Sequence, residues 1–200
     1  MLEIAPTLKT NPHGTLMSIK NALAALACLL LVGFSTDAAL AEGLVHELKF
    51  GVLAHDVPDL WSGFRTENDA VAINVEALLA PSLPILGGYI RPAIGGSIAT
   101  EGGTSSAYLD ARWQIDTPSG IFFGLGLGAV IHNGETDLKS AFQTDKALGS
   151  RVLFHIPAEI GYRFDDHNSL SVYFEHMSNA NTQDYNEGLD RLGVRYGYRF

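Results

Sequence analysis

The feature that most constrains this chain is an alternation of apolar and polar residues with a period of two, which dominates the sequence from residue 44 onward. In residues 107–115, for example, every odd position is apolar, whereas the even positions include Asp110, Arg112 and Gln114. Because successive side chains of a strand point to opposite faces, each such segment predicts a β-strand with one apolar and one polar face. Eight segments show the pattern: 44–54, 70–79, 89–98, 107–115, 121–131, 152–164, 169–178 and 192–200.

Alternation alone does not distinguish a soluble β-sandwich from a membrane barrel, because both present one apolar face. The strands have the roughly 9 to 11 residues and the terminal aromatic residues that tilted outer-membrane strands require. The chain also ends on Phe200 in a strand with Tyr196 and Tyr198 on the same face, which is similar to the terminal signature of outer-membrane barrels. Both features favour the barrel.

The polar faces provide the third argument, because they carry charges of both signs in the interior of strands. Such residues suit a narrow lumen in which acids and bases pair. They are Glu47, Lys49, Glu76, Arg91, Asp110, Arg112, Glu159, Arg163, Glu175, Arg195 and Arg199. We therefore predict an all-β fold, an eight-stranded antiparallel transmembrane β-barrel, since closed barrels are the sheets that are stable in lipid.

The first 41 residues read as an export signal. Lys20 supplies a positive charge, residues 22–34 form an apolar run, and Ala39 and Ala41 provide the small residues that a signal peptidase requires. The run is shorter than the roughly 20 residues of a membrane-spanning helix, so cleavage before Glu42 is the favoured interpretation. The domains are then a signal peptide over 1–41, with Met17 as an alternative start, and a barrel over 42–200 in the bacterial outer membrane.

Composition excludes several other classes of protein. The formal net charge of -9 argues against a non-specific nucleic-acid binder, which needs a basic surface to contact phosphates. The single cysteine, Cys28, excludes a disulfide framework and a multi-thiolate metal site. Eight strands fill their own interior with side chains, which argues against a porin. The long connections 55–69 and 132–150 and the shorter turns 117–120 and 165–168 place most long loops at one end, which we expect to be extracellular.

Three polar residues break the alternation near the carboxyl end. In the seventh strand, His176 and Ser178 continue the lipid-facing phase of Leu170, Val172 and Phe174. In the eighth strand, Asp190 continues the lipid-facing phase of the apolar residues after it. If residue 174 lies opposite 192, then His176 lies opposite Asp190, at a same-face separation of about 4.5 to 5.5 Å. This register is an assumption, because the connecting loop does not fix it.

A hydroxyl, an imidazole and a carboxylate would then lie together on the outer wall. In that order they form the nucleophile, the general base and the acid that orients the base in a hydrolase triad. The alternative is that all three simply lie in the headgroup zone, where polar side chains cost little energy. The spacing His-x-Ser does not decide between these interpretations.

The sequence HMSNA at residues 176–180, followed by NEGLD at residues 186–190, resembles the PagL family of outer-membrane lipid A 3-O-deacylases. The strong resemblance covers about the last 25 residues, and the remainder agrees in strand count and pattern. It implies an eight-stranded barrel whose active site faces the membrane, lipid A of lipopolysaccharide as the substrate, and no metal or other cofactor.

The resemblance also implies roles for individual residues. His176 would be the general base, Ser178 the nucleophile and Asp190 the acid. Asn179, Asn186 and Gly188 would hold the loop and provide oxyanion donors. The chain departs from the family pattern at Asp190, where well-known members carry Glu, so the shorter acid must approach the imidazole more closely.

Two rival functions remain open from the sequence. One is a non-enzymatic structural or surface-binding barrel, and the other is a barrel that transfers the acyl chain to another lipid. The glycine-rich segment 124–128 evokes a nucleotide loop but lacks its spacing, so we interpret its glycines as small residues that face a crowded lumen. The sequence also leaves open whether the barrel forms a homodimer.

Overall fold

The alternating segments form antiparallel strands in the computed structural model, which describes residues 43–63, 67, 70–139 and 143–200. The strands are β1 (Val45–Ala54), β2 (Val71–Leu79), β3 (Leu83–Ile85), β4 (Gly88–Ala99), β5 (Ser106–Asp116), β6 (Ile121–His132), β7 (Val152–Arg163), β8 (Asn168–Ser178) and β9 (Leu189–Arg199). The predicted signal peptide, residues 1–41, lies outside the described residues. Within those residues, no helix is long and apolar enough to cross a bilayer.

Eight of these strands close into a barrel. Each long strand pairs with the next along the chain, β2 pairs with β4, and β1 pairs with β9 so that Phe50 lies opposite Tyr196. This confirms the predicted eight-stranded antiparallel barrel. The remaining strand, β3, has three residues and lies in the predicted connection between β2 and β4. Among the described residues it pairs with the start of β4.

The last strand begins three residues earlier than the alternation indicates, at Leu189 rather than Leu192. The sequence hides this start because Asp190 places a charge on the outer face, where the pattern expects an apolar residue. The strand ends at Arg199, and the backbone N–H of Phe200 still donates to the carbonyl of His46 at 3.1 Å.

The lumen is filled by paired charges, as the polar faces predicted. Glu159 is buried there and accepts hydrogen bonds from Lys49 at 2.8 Å, Arg195 at 2.7 Å and Arg112 at 3.2 Å. Arg195 also donates to Glu76 at 3.1 Å. Charges at this depth are stable only when each has a partner, so the network holds the strands around it in a fixed arrangement.

The outer wall carries the apolar face. Leu109, Leu125 and Leu127 are all more than half exposed, as expected for side chains that contact lipid. The glycines of β6 face inward and meet lumen side chains: a Cβ on Gly128 would lie 2.0 Å from an Asp110 carboxylate oxygen. Crowding in the lumen therefore explains this glycine without a nucleotide site.

Candidate active site

The β8–β9 pairing brings together the polar residues that break the alternation. Phe174 lies opposite Leu192 and His176 opposite Asp190, which is the register assumed from the sequence. One position further along, Glu175 and Arg191 form an ion pair on the lumen side of the same two strands. This buried pair favours a single register, because slipping the strands would leave two charges without partners.

The three side chains form a continuous chain of hydrogen bonds. The Nδ1 of His176 lies 2.6 Å from Oδ1 of Asp190, and its Nε2 lies 2.8 Å from Oγ of Ser178. Since an ionised carboxylate only accepts, the neutral ring that fits these contacts carries its proton on Nδ1 and accepts the Ser178 hydroxyl proton at Nε2. Asp190 therefore reaches the imidazole despite its shorter side chain.

The site is covered rather than open to lipid. His176 and Ser178 project from the outer side of β8, but they are only 4% and 9% exposed, and Asp190 is fully buried. The sequence pattern predicted that these side chains lie on the outer wall, but it gave no sign that another part of the protein covers them. The β1–β2 loop folds back over the wall, and the indole ring of Trp61 stacks on the His176 ring at 4.5 Å between centroids.

The same loop also holds the acid. The backbone N–H groups of Trp61 and Ser62 both donate to Oδ2 of Asp190 at 2.7 Å, which leaves Oδ1 for His176. The backbone N–H of Val57 donates to the Asp190 carbonyl at 2.9 Å. The carboxylate is thus oriented by donors on its far side, an arrangement that stabilises its ionised form and fixes the tautomer of the imidazole.

A buried polar cluster anchors the loop at the end of the barrel. Lys146, from the β6–β7 connection, pairs with Asp56 at 2.7 Å. Glu67 accepts hydrogen bonds from His55 and from both the backbone N–H and the hydroxyl of Thr104, each at 2.8 Å. Burial acts to raise the pKa of the Glu67 carboxyl, but these hydrogen bonds outweigh it and lower that pKa to about 2.

A cavity of about 430 Å³ opens beside Ser178, between the ends of β7 and β8 and the β1–β2 and β8–β9 loops. Asn186 and Gly188 line it together with His176 and Ser178, whereas Asn179 does not. Gly188 has a positive φ of 61°, and a Cβ there would lie 3.0 Å from Cβ of Ser62 and 3.3 Å from Cε1 of His176. A larger residue at this position would crowd the imidazole.

Both asparagines are committed to holding the β8–β9 loop. The Asn179 side chain donates to the carbonyls of Leu148 and Tyr185, and its backbone N–H donates to Oδ1 of Asn186 at 2.9 Å. The Asn186 Nδ2 donates to Oδ1 of Asn181 at 2.9 Å. The loop therefore presents a preformed wall to the cavity.

Trp61, Ser62 and Lys146 were not found by reasoning from the sequence. They lie in long connections, and the alternation of strands carries no information on how such a loop folds back over the wall. The length of the connection over residues 55–69 is the one signal that separated this loop from the lipid-facing strands. Across the described ranges of the chain, no group of three or more His, Cys, Asp or Glu side chains is placed to hold a metal ion.

Among solved structures, one aligns well enough to support the same barrel fold, and two others that are similar are less closely superimposed. The crystal structure of the outer membrane enzyme PagL aligns with a TM-score of 0.57 at 17% identity, over 77% of this chain and 99% of that one. The N-terminal β-barrel domain of Pseudomonas aeruginosa OprF aligns with a TM-score of 0.47 at 13% identity, over 78% and 99% of the two chains. Neisserial surface protein A aligns with a TM-score of 0.47 at 10% identity, over 79% and 97%.

None of the curated proteins matches the sequence. A family model described as lipid A 3-O-deacylase (PagL) matches residues 84–199, which is more than half of the chain and includes all of β4 to β9. The matched region contains His176, Ser178 and Asp190 and the whole loop between β8 and β9. On this match, the chain belongs to the PagL family of lipid A 3-O-deacylases.

Proposed function

We propose that this protein is an outer-membrane esterase that removes the 3-O-linked acyl chain of lipid A. The observation that carries the proposal is the hydrogen-bonded chain from Asp190 through His176 to Ser178, which opens onto a cavity on the outer side of the barrel. Family membership supplies the substrate class. The position of the cavity supports it, because a site on the outer wall can receive a substrate that stays in the bilayer.

In the first half of the reaction, Oγ of Ser178 attacks the ester carbonyl as Nε2 of His176 takes the hydroxyl proton. The imidazolium is stabilised by Asp190, which the loop amides hold in place. The tetrahedral intermediate then collapses, the ester C–O bond breaks, and His176 returns the proton to the departing sugar oxygen. The products of this half are the 3-hydroxyl of the sugar and an acyl group on Ser178.

In the second half, water attacks the acyl-enzyme and His176 again acts as the base. The fatty acid leaves and Ser178 regains its proton. We assign the oxyanion role to the main-chain N–H of Gly188, which lines the cavity. The side chain of Asn179 already donates to the carbonyls of Leu148 and Tyr185, and that of Asn186 donates to Asn181. The adjacent N–H of Glu187 donates to the carbonyl of Ala147. No step in this scheme requires a metal or an organic cofactor.

Mass spectrometry of lipid A tests the proposal. Cells that express the wild-type protein should lose one 3-hydroxyacyl mass from lipid A, and cells that express Ser178→Ala should not. A gain of an acyl mass would show transfer to another lipid instead of hydrolysis. Unchanged lipid A with a correctly inserted wild-type barrel would favour a structural or surface-binding barrel.

A further inference from the structure

The indole of Trp61 covers one face of the His176 ring. The two rings are nearly parallel, with 9° between their planes and 4.5 Å between their centroids. Trp61 is nonetheless 59% exposed, so the remainder of its side chain faces the surroundings of the barrel. An exposed tryptophan at this level would ordinarily be explained as an interfacial anchor in the headgroup zone.

The backbone around Trp61 is held too firmly for a side chain that only contacts lipid. Its own N–H and that of Ser62 donate to Oδ2 of Asp190 at 2.7 Å. The start of the loop is fixed by the Asp56–Lys146 ion pair, in which both side chains are buried. The indole is therefore placed relative to the same acid that orients the imidazole.

This placement has a chemical consequence. In the proposed deacylation, His176 becomes positively charged as it takes the proton of Ser178. A cation over the face of a tryptophan ring is attracted by the ring quadrupole, and more strongly when water is excluded. Stacking also restricts rotation of the imidazole, so that Nε2 stays aligned with the Ser178 oxygen at 2.8 Å.

We propose that Trp61 is a positioning residue for His176, which it holds in plane and stabilises in its charged form during acyl transfer. This role rests on the proposed function, because it acts through the general base and not through contact with the ester. The role predicts an effect mainly on kcat, whereas an interfacial anchor would affect binding of the substrate from the membrane.

Kinetics of three variants distinguish these roles. Trp61→Leu should lower kcat about 10-fold with less than about a threefold change in KM, because aromatic stacking and cation–π attraction correspond to effects of this size. Trp61→Phe keeps an aromatic face and should recover most of the loss. Leu60→Ala is the matched control: Leu60 is 51% exposed on the same loop, so its removal deletes membrane contact and should leave kcat within about twofold.

A change in KM alone for Trp61→Leu, or an equal loss of kcat in Leu60→Ala, would overturn the positioning role. If the wild-type protein itself shows no deacylation, the proposed function fails and the role of Trp61 fails with it. An active wild type with an equally active Trp61→Leu variant would overturn the role of Trp61 alone.

Fluorescence tests the stack without reference to activity. The chain contains two tryptophans, so Trp113→Phe leaves Trp61 as the single indole. Imidazole in contact with indole quenches its emission, and the imidazolium quenches more strongly. In this background, His176→Gln should raise Trp61 emission, because it removes the ring that quenches the indole. Identical emission with and without His176 would show that the rings do not stack, and would overturn the proposal.

Discussion

His155 and His176 lie on opposite sides of the barrel wall and have the same kinds of partners. Each has Nδ1 bonded to an aspartate, Asp110 in the lumen and Asp190 outside, and each stacks on an aromatic ring, Tyr108 at 4.3 Å and Trp61 at 4.5 Å. They differ in the second nitrogen. Nε2 of His155 lies 3.2 Å from Glu175, whereas Nε2 of His176 lies 2.8 Å from Ser178.

This difference separates a structural histidine from a candidate base. Because carboxylates only accept, His155 donates from both nitrogens and is fixed as a cation between two acids. His176 has a hydroxyl in place of the second acid, so its Nε2 is free to accept a proton. Each imidazole is oriented by its own aspartate and its own aromatic ring. The partner of Nε2 then decides whether the imidazole can act as a base.

The largest effect should come from exchanging the two histidines for glutamine one at a time. His176→Gln removes the proposed base, and deacylation should fall about a million-fold, as for other hydrolase triads. His155→Gln leaves Ser178 and its base in place, and activity per folded molecule should stay within about fivefold. Lipid A deacylation by purified, refolded protein measures both.

A comparable loss of activity in the His155→Gln variant, once its folded fraction is matched to wild type, would contradict the division between the two faces. It would mean that the lumen histidine takes part in the reaction.

Asp190→Asn should give the second largest effect. The amide can still fill the space between the loop N–H groups and the ring, but it no longer stabilises the imidazolium or fixes the tautomer. We expect kcat to fall about 10,000-fold. A steady-state assay compares this variant with Asp110→Asn, the equivalent change beside His155, which should reduce stability and spare kcat. Retention of more than about a tenth of wild-type kcat in Asp190→Asn would show that Asp190 does not act as the acid of the triad.

Glu159→Gln tests the structural side of the comparison. The change leaves Lys49, Arg112 and Arg195 without the carboxylate that they share, and the free energy of unfolding should fall by about 3 kcal/mol. Urea unfolding in lipid vesicles measures the loss. Asp166→Asn in an exposed turn is the control and should have little effect. An unchanged stability of Glu159→Gln would indicate that water, and not the paired charge, balances the lumen cations.

Acid should weaken the loop that covers the outer site, with the smallest effect of this series. The pKa of Glu67 is about 2, below its ordinary value of 4.5. A lowered pKa in the folded state means that this carboxylate contributes its full stability above about pH 4.5 and loses it as the pH falls towards about 2. The difference in unfolding free energy between wild type and Glu67→Gln should shrink across this window. A difference that stays constant there would show that Glu67 does not anchor the loop through its charge.

The barrel and the outward direction of the candidate site could both be predicted from the sequence, because both depend on a two-residue period. Leu170, Val172 and Phe174 fix the lipid-facing phase, and His176 and Ser178 inherit it. The alternation gives no information on the loop that covers the site. The positions of Trp61 and Ser62 depend on how residues 55–63 pack against β9, through contacts between residues about 130 positions apart in the chain. The predicted last strand also lacked the first three residues of β9, because Asp190 interrupts the apolar pattern there.

The most direct test of the central claim is to identify the atom that becomes acylated. A fluorophosphonate probe captures a serine only when a neighbouring base activates it, and peptide mass spectrometry locates the adduct. We predict an adduct on Ser178 in the wild-type protein and none in His176→Gln. Labelling of Ser62, which lines the same cavity, or labelling of Ser178 that persists without His176, would contradict the account.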